Sequence, residues 1–240
     1  MRSRGIPIPL IDDSVERCAL ASVPEIRSVR PSTNRIFLPA ALLVVFAVAL
    51  KFLIHYALPY FAFNRAYFDV YWPHRFRLIT HISGGIVALI CGPFQFWTGL
   101  RQRAITFHRW TGRLYLVGVV VGTSGAAMMA VFTTPRNFGI SLGFMALAWI
   151  TCTVIAYLAI RRRLMTLHKE WMVRSYVIAF GFVAFRLIND YPPGIHWGSF
   201  ADRAATVTWA CWGVPFLAYE IILAAQRLRL EPVPKLDARC

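Results

Sequence analysis

Acidic residues are scarce in this chain of 240 residues: 11 aspartates and glutamates stand against 26 lysines and arginines, and the formal net charge is +15. In a soluble protein this imbalance would suggest nucleic-acid binding. Charged residues make up only 15% of the chain, however, whereas 58% is hydrophobic, which is typical of a membrane protein. Because the basic residues lie between apolar runs, we expect a lipid bilayer with anionic headgroups as the partner, and no nucleic acid.

Paired cysteines and known catalytic motifs are also missing. The five cysteines form no C-x-x-C spacing and three of them lie inside apolar runs, so no disulfide framework or zinc knuckle is implied. H-E-x-x-H, G-x-S-x-G and P-loop spacings are absent. The sequence therefore does not establish an enzymatic activity, and it predicts no metal site. His55, His74 and His81 offer at most part of an outer zinc cluster.

Six apolar runs are long enough to cross the bilayer core as helices, which takes about 20 residues each. They cover residues 36–58, 78–97, 114–132, 138–160, 171–189 and 204–226. The connections are short and leave no room for a second domain. The sequence therefore predicts an all-α, polytopic bundle of six transmembrane helices over residues 36–226, between a disordered arm (1–35) and a tail (227–240).

Lysines and arginines are unevenly distributed over the connections. Nineteen lie in the arm, in segments 101–113 and 161–174, and in the tail, whereas five lie in the other connections. Because cytoplasmic segments keep positive charge, we expect both termini in the cytoplasm and residues 59–77, 133–137 and 190–203 outside. The first apolar run begins only at residue 36, whereas the apolar part of a cleaved signal peptide begins nearer the N-terminus. The first span is therefore expected to be an uncleaved signal anchor.

Small residues mark the second and third spans. The segment His-Ile-Ser-Gly-Gly-Ile-Val-Ala (81–88) opens the second span, and Gly118, Gly122, Ser124 and Gly125 form a stripe along the third. In lipid, helices associate through close approach of their backbones. We therefore expect spans two and three to pack tightly.

A short pattern occurs twice, each time at the predicted cytoplasmic start of a span. It is His-Arg-Trp-Thr-Gly-Arg-Leu-Tyr in residues 108–115 and His-Lys-Glu-Trp-Met-Val-Arg-Ser-Tyr in residues 168–176. Aligned on tryptophan, both read W-x-x-R-x-Y after a histidine. One interpretation is a parallel repeat of spans three and four as spans five and six, as in some transporters. The other is that cytoplasmic interfaces collect Trp, Tyr and Arg in any case.

Together with other motifs, this pattern resembles the family of bacterial predicted membrane proteins called domain of unknown function 2306. The matching features are His81 at the start of a glycine-rich span that ends in Gly-Pro-Phe-Gln-Phe (92–96), the two segments just described, and Arg186-Leu187. The resemblance covers roughly residues 78–190. It implies a bacterial inner-membrane protein and supplies no activity.

Histidines within or beside spans are candidates for cofactor binding, because helix bundles commonly hold cofactors between side chains on facing helices. His55 and His81 lie at comparable depth near the outer ends of spans one and two. His108 and His168 form a second pair, at the cytoplasmic starts of spans three and five. Either pair would supply two imidazole ligands to a haem b iron. The alternative for His55 and His81 is an ordinary interfacial histidine. For His108 and His168, which have charged neighbours at headgroup depth, the alternative is binding of a lipid headgroup, a phosphate or a quinone head at the cytoplasmic face.

Arginines within spans are candidates for anion binding. Arg186 lies about one turn from the outer end of span five, where it either snorkels outward or forms an anion or propionate clamp. The candidates for binding an anion or a lipid headgroup at the cytoplasmic face are Arg113, Arg174, Gln95, Tyr115 and Tyr176. We expect Glu220 to neutralise Arg113 or Arg174 in a structural ion pair.

Three functions follow from these residues. The first, which the paired histidines favour, is a small membrane redox protein that binds haem b. The second is a transporter or a lipid- or anion-binding membrane protein. The third is a membrane scaffold or assembly factor without small-molecule chemistry.

Overall fold

The protein is a bundle of long helices. The computed structural model describes residues 37–101, 104–190 and 198–230, and that part of the chain contains no strand. We number the long helices in chain order: α1 Phe37–Phe52, α2 Arg75–Arg101, α3 Ile105–Phe132, α4 Arg136–Arg161, α5 Met165–Asp190 and α6 Phe200–Leu230. A π-helical turn, Leu53–Ala57, and a 3-10 turn, Leu58–Ala62, extend α1.

Within the described residues, six helical segments are long and apolar enough to cross a membrane, and they match the six predicted runs one for one. The prediction of an all-α bundle of six transmembrane helices is therefore confirmed. The predicted arm, residues 1–35, lies outside the described residues, as does the tail beyond residue 230.

Two helices begin well before the apolar runs that predicted them. Helix α3 begins at Ile105 and α5 at Met165, whereas the runs begin at residues 114 and 171. The extra turns carry histidine, arginine and lysine, which hydropathy excludes from a span although they continue the helix at headgroup depth. As a result, His108 and His168 are each the fourth residue of a helix rather than part of a connecting loop.

The connection between α1 and α2 is also helical. Its first part is a single α-helical turn, Arg65–Phe68, whose start is capped by the side chain of Asn64. A 3-10 segment, Asp69–His74, then leads into α2. Phe68 is buried against Tyr60 and Trp72, so this connection packs on itself through aromatic rings.

Helices α2 and α3 form the most extensive helix pair of the bundle. A Cβ atom on Gly84 would lie 2.2 Å from the backbone nitrogen of Gly122, and one on Gly125 would lie 2.5 Å from the nitrogen of His81. Only glycine permits such an approach of two backbones. The predicted tight packing of spans two and three is confirmed.

The outer surface of the bundle is apolar and its interior is partly polar. Leu43, Val117 and Leu147 are more than half exposed, as expected for side chains that face lipid rather than water. Thr153 and Ser175, by contrast, are buried between helices. In the bilayer these interior polar groups need partners within the protein, and their partners define the region described next.

A candidate histidine site and the polar interior

His108 is fixed in the first turn of α3 by the end of α2. Its Nδ1 lies 2.9 Å from the hydroxyl of Thr98, and that hydroxyl donates its own hydrogen to the carbonyl of Phe94 at 2.7 Å. The Thr98 oxygen is therefore the acceptor, and Nδ1 of His108 carries the hydrogen. In the neutral imidazole this leaves a lone pair on Nε2. The ring lies against Gly99, where a Cβ atom would approach it to 3.1 Å.

His168 is held in the same way in the first turn of α5. Its Nδ1 lies 2.9 Å from the carbonyl oxygen of Ala156 on α4, and a carbonyl can only accept. Nδ1 of His168 therefore carries the hydrogen and Nε2 has the lone pair. This is the tautomer in which histidine binds a metal through Nε2 while a backbone carbonyl orients the ring.

Sixty residues separate the two histidines in the chain, and each lies in the first turn of a long helix. The backbone also places them alike, because the nitrogen of each histidine bonds the carbonyl four residues earlier, that of Ala104 or Leu164. Both histidines of the predicted pair therefore lie at the end of the bundle where α3 and α5 begin. Among the hydrogen bonds of the described residues, none involves Nε2 of either ring.

The Gly-Pro-Phe-Gln-Phe motif connects α2 to its neighbours. Pro93 has no backbone N–H, so the carbonyl four residues earlier, that of Leu89, loses its helical partner. The hydroxyl of Tyr176 donates to that carbonyl at 3.2 Å, and its ring lies on Gly92, where a Cβ atom would come within 2.0 Å. The proline, the glycine and the distant tyrosine thus form one packing unit between α2 and α5.

Gln95 connects α2 to the start of α3. Its amide donates to the carbonyl of His108 at 2.8 Å and to the hydroxyl of Thr111, and the side chain is buried. The amide therefore fixes the backbone of the histidine turn. Gln95 supports the position of His108, and its amide nitrogen is already engaged.

Tyr115 and Ser175 join α3, α4 and α5 at the centre of the bundle. The two hydroxyls lie 2.7 Å apart, and Ser175 is also 2.7 Å from the hydroxyl of Thr153. The indole nitrogen of Trp149 donates to Tyr115 at 3.5 Å. Tyr115 and Ser175 are both fully buried. Such a network satisfies polar groups that lipid cannot and fixes the helices relative to one another.

Arg174 forms a two-bonded ion pair with Glu220 on α6. Its Nε and Nη2 donate to the two carboxylate oxygens at 2.6 and 2.9 Å, which is the strong geometry for this pair. Glu170 lies 3.6 Å from Nη1 and also accepts from Arg227 at 2.7 Å. The predicted neutralisation of an arginine by Glu220 is confirmed, and the arginine is Arg174.

The second predicted histidine pair, His55 and His81, stays a prediction, and the two rings have different hydrogen-bond partners. His55 is exposed, and its Nδ1 bonds the carbonyl of Lys51 in its own helix. The ring of His81 points into the bundle, where Nδ1 donates to the carbonyl of Gly122 on α3 at 2.8 Å and the ring meets Phe182 edge to face. The two imidazoles therefore lie in different surroundings.

The remaining arginines of the prediction differ in burial and in contacts. Arg113 is exposed and stacks on the ring of Trp110. Arg186 is half-buried and forms no hydrogen bond or ion pair with the described residues. Arg174 is neutralised by Glu220, and the role of these arginines in binding an anion stays a prediction. The chain offers no group of three or more His, Cys, Asp or Glu able to hold a metal ion in the part that is described.

The two W-x-x-R-x-Y segments share their local geometry and differ in their surroundings. In each, the arginine stacks on the tryptophan three residues earlier, at 4.9 Å for Arg113 and 4.7 Å for Arg174. Arg113 is exposed, however, whereas Arg174 is buried against α6. The parallel repeat of whole spans stays a prediction.

Sequence reasoning missed the groups that hold the histidines. Thr98 and Ala156 orient the two rings, and neither has a sequence signal, since a hydroxyl and a backbone carbonyl can act at any position of a helix. Ser175 was within a recognised segment but not singled out. Its position between Arg174 and Tyr176, two residues that both bind other helices, was the available signal.

Comparison with known proteins agrees with this architecture. The sequence model of a family described as predicted membrane protein (DUF2306) matches residues 78–223. No curated protein and no solved structure matches the chain. The match extends past residue 190, where the recognised motifs ended, and takes in the part of α6 that carries Glu220. It covers well over half of the sequence, and the chain therefore belongs to the DUF2306 family of predicted membrane proteins.

Proposed function

We propose that this integral membrane protein is a small redox protein that holds haem b between His108 and His168. The observation that carries the proposal is the matching state of two imidazoles at the same end of the bundle, each with Nδ1 bonded to an acceptor and Nε2 in the lone-pair form. A six-coordinate haem iron takes two such ligands, and it supplies reversible one-electron chemistry. The chain's own part is to orient the rings and keep water away.

The surroundings of the pair fit this role. The absence of a side chain at Gly99 lets the His108 ring pack directly on α2, and Gln95 holds the backbone of the same turn. Exposed Arg109 and Lys169 directly follow the two histidines, and they are suited to pair with propionate groups at headgroup depth. Arg174 is not available for that purpose because it already binds Glu220.

A reduced-minus-oxidised absorption spectrum tests the proposal. The protein is expressed in haem-replete cells and purified in detergent, and we expect Soret and alpha bands. His108→Ala and His168→Ala should each lose the bands. His55→Ala is the matched control, since this exposed ring bonds only its own helix, and it should keep them. His81→Ala should also keep the bands, because the His81 ring bonds the carbonyl of Gly122 on α3 and is not a ligand in this proposal.

Either of two results would overturn the proposal. One is the absence of haem bands from the purified wild-type protein. The other is bands that persist in both the His108 and the His168 variants. A transporter or anion-binding protein, or a scaffold without bound cofactor, would then be the better interpretation of the same fold.

The orientation in the membrane is part of the proposal. We place the protein in a bacterial inner membrane with both termini, and hence the histidine pair, on the cytoplasmic side. The support is the excess of lysine and arginine in the segments at that end of the bundle, which follows the rule for cytoplasmic connections.

A further inference from the structure

We infer that a groove between α3 and α4, at the end of the bundle opposite to the histidine pair, binds one anionic phospholipid. The groove has a volume of about 340 Å³, within the range of small-ligand sites. Its floor is made by Ala127, Ala130, Gly139 and Gly143, and Arg136 lies at its end. The site is separate from the proposed haem site and does not depend on it.

The groove is long enough for part of an acyl chain, and its charged residue lies at the end where a headgroup would be. Its lining along α4 runs from Arg136 to Leu147, which is about 16 Å at 1.5 Å per residue. Arg136 is the first residue of α4 and is exposed, so its charge lies at headgroup depth while the rest of the lining extends into the bilayer core. Phe144 and Leu147 form the apolar side of this path.

The guanidinium of Arg136 selects the charge of the occupant. One of its nitrogens donates to the carbonyl of Val131 at 3.2 Å, which fixes the side chain over the end of α3. It forms no ion pair with a described residue, so its positive charge is available to a phosphate. A zwitterionic headgroup gains less from this contact because its own cation opposes the arginine.

A second copy of the chain is the competing occupant, since Gly139 and Gly143 have the spacing of a helix-dimer motif. Two observations disfavour it. Gly139 is already used within the chain, where a Cβ atom would lie 2.5 Å from the carbonyl of Ala130. A symmetric parallel dimer through this face would also bring two Arg136 side chains together, and like charges repel.

Native mass spectrometry of the full chain in detergent tests the inference with dioleoyl-phosphatidylglycerol and dioleoyl-phosphatidylcholine at equal concentration. We expect the wild-type protein to retain one phosphatidylglycerol about fivefold better than phosphatidylcholine, as expected for one arginine near the membrane surface. Arg136→Gln should remove the preference. Arg65→Gln is the control, since Arg65 is exposed but does not line the groove.

A second variant tests the acyl path. A Cβ atom on Gly143 meets only the Ala130 methyl at 3.7 Å, an ordinary contact, so Gly143→Leu fills the groove without a backbone clash and should abolish retention of both lipids. Equal retention of the two lipids by the wild type, or an unchanged preference in Arg136→Gln, would overturn the inference. So would a wild-type dimer peak that Gly143→Leu removes, which would assign the groove to a second copy.

Discussion

At the scale of single residues, hydrogen-bond direction decides what each histidine offers. The Thr98 hydroxyl is committed to the Phe94 carbonyl, and Ala156 presents a carbonyl, so both imidazoles carry hydrogen on Nδ1. In a similar way, the Tyr176 hydroxyl donates to the Leu89 carbonyl, which has no helical donor because Pro93 lacks a backbone N–H. Residues that looked alike in the sequence, such as Tyr115 and Tyr176, therefore have different and specific partners.

The ion pair of Arg174 leads to a prediction about stability. Replacing Glu220 by glutamine removes the carboxylate that accepts two hydrogen bonds from Arg174, whose side chain is 8% exposed. The arginine charge then loses its main partner in a poorly hydrated place. We expect a loss of about 1–2 kcal/mol, seen as a lower midpoint of thermal unfolding in detergent.

Glu170→Gln is the control for that experiment. Glu170 is 3.6 Å from Arg174, and its closer partner, Arg227, is 60% exposed. Because exposed pairs contribute little, its loss should cost less than about 1 kcal/mol. A Glu170 variant that is less stable than the Glu220 variant would contradict the assignment of Glu220 as the main partner.

At the scale of helices, backbone contact between glycines holds α2 to α3. Lipid chains are as apolar as leucine, so apolar burial alone does not drive helices together in a bilayer. Gly84 and Gly122 supply an approach that any side chain would prevent. The pair positions the end of α2, and with it Thr98 and Gln95, against the first turn of α3.

Substitutions of two neighbouring glycines distinguish the effect of this backbone contact on stability from the effect of helix propensity. Gly84→Ala places a Cβ atom 2.2 Å from the Gly122 backbone, whereas a Cβ atom on Gly85 meets nothing within 4 Å. We expect Gly84→Ala to destabilise the protein by about 1–3 kcal/mol and Gly85→Ala to leave it unchanged or slightly more stable. Equilibrium unfolding in mixed micelles measures both. Equal effects of the two substitutions would contradict the proposed backbone contact.

At the scale of the whole molecule, the two ends of the bundle carry different chemistry. The end where α3 and α5 begin has the histidine pair and the Arg174–Glu220 ion pair. The other end has the aromatic connection between α1 and α2 and the groove beside Arg136. The proposed orientation assigns the first end to the cytoplasm.

Cysteine labelling tests this orientation. In intact spheroplasts, a membrane-impermeant maleimide should not modify Cys18 or Cys240 until the membrane is permeabilised. Cys91, Cys152 and Cys211 are buried and should react poorly in both states. Val70→Cys in a background without Cys18 and Cys240 is the opposite control: Val70 is 71% exposed in the connection predicted to be outside, and it should react in intact spheroplasts. Labelling of Cys18 or Cys240 without permeabilisation would reverse the orientation.

The sequence by itself determined the class and the number of the membrane helices, because hydrocarbon solvation acts on runs of about 20 residues. It also identified the packing of α2 with α3, since glycine spacing is a local signal. The apolar runs do not mark the starts of α3 and α5, because hydropathy does not register polar residues that continue a helix at headgroup depth.

Only the tertiary structure decided which distant groups meet. It joined Arg174 to Glu220 and the Tyr176 hydroxyl to the Leu89 carbonyl, and it gave each histidine its own hydrogen-bond acceptor. Helical periodicity gives the depth and face of a residue within its own helix, but the rotation of that helix against its neighbours depends on packing summed over the whole bundle. The pairing of polar groups is therefore a property of the fold, whereas their depth in the membrane is a property of the sequence.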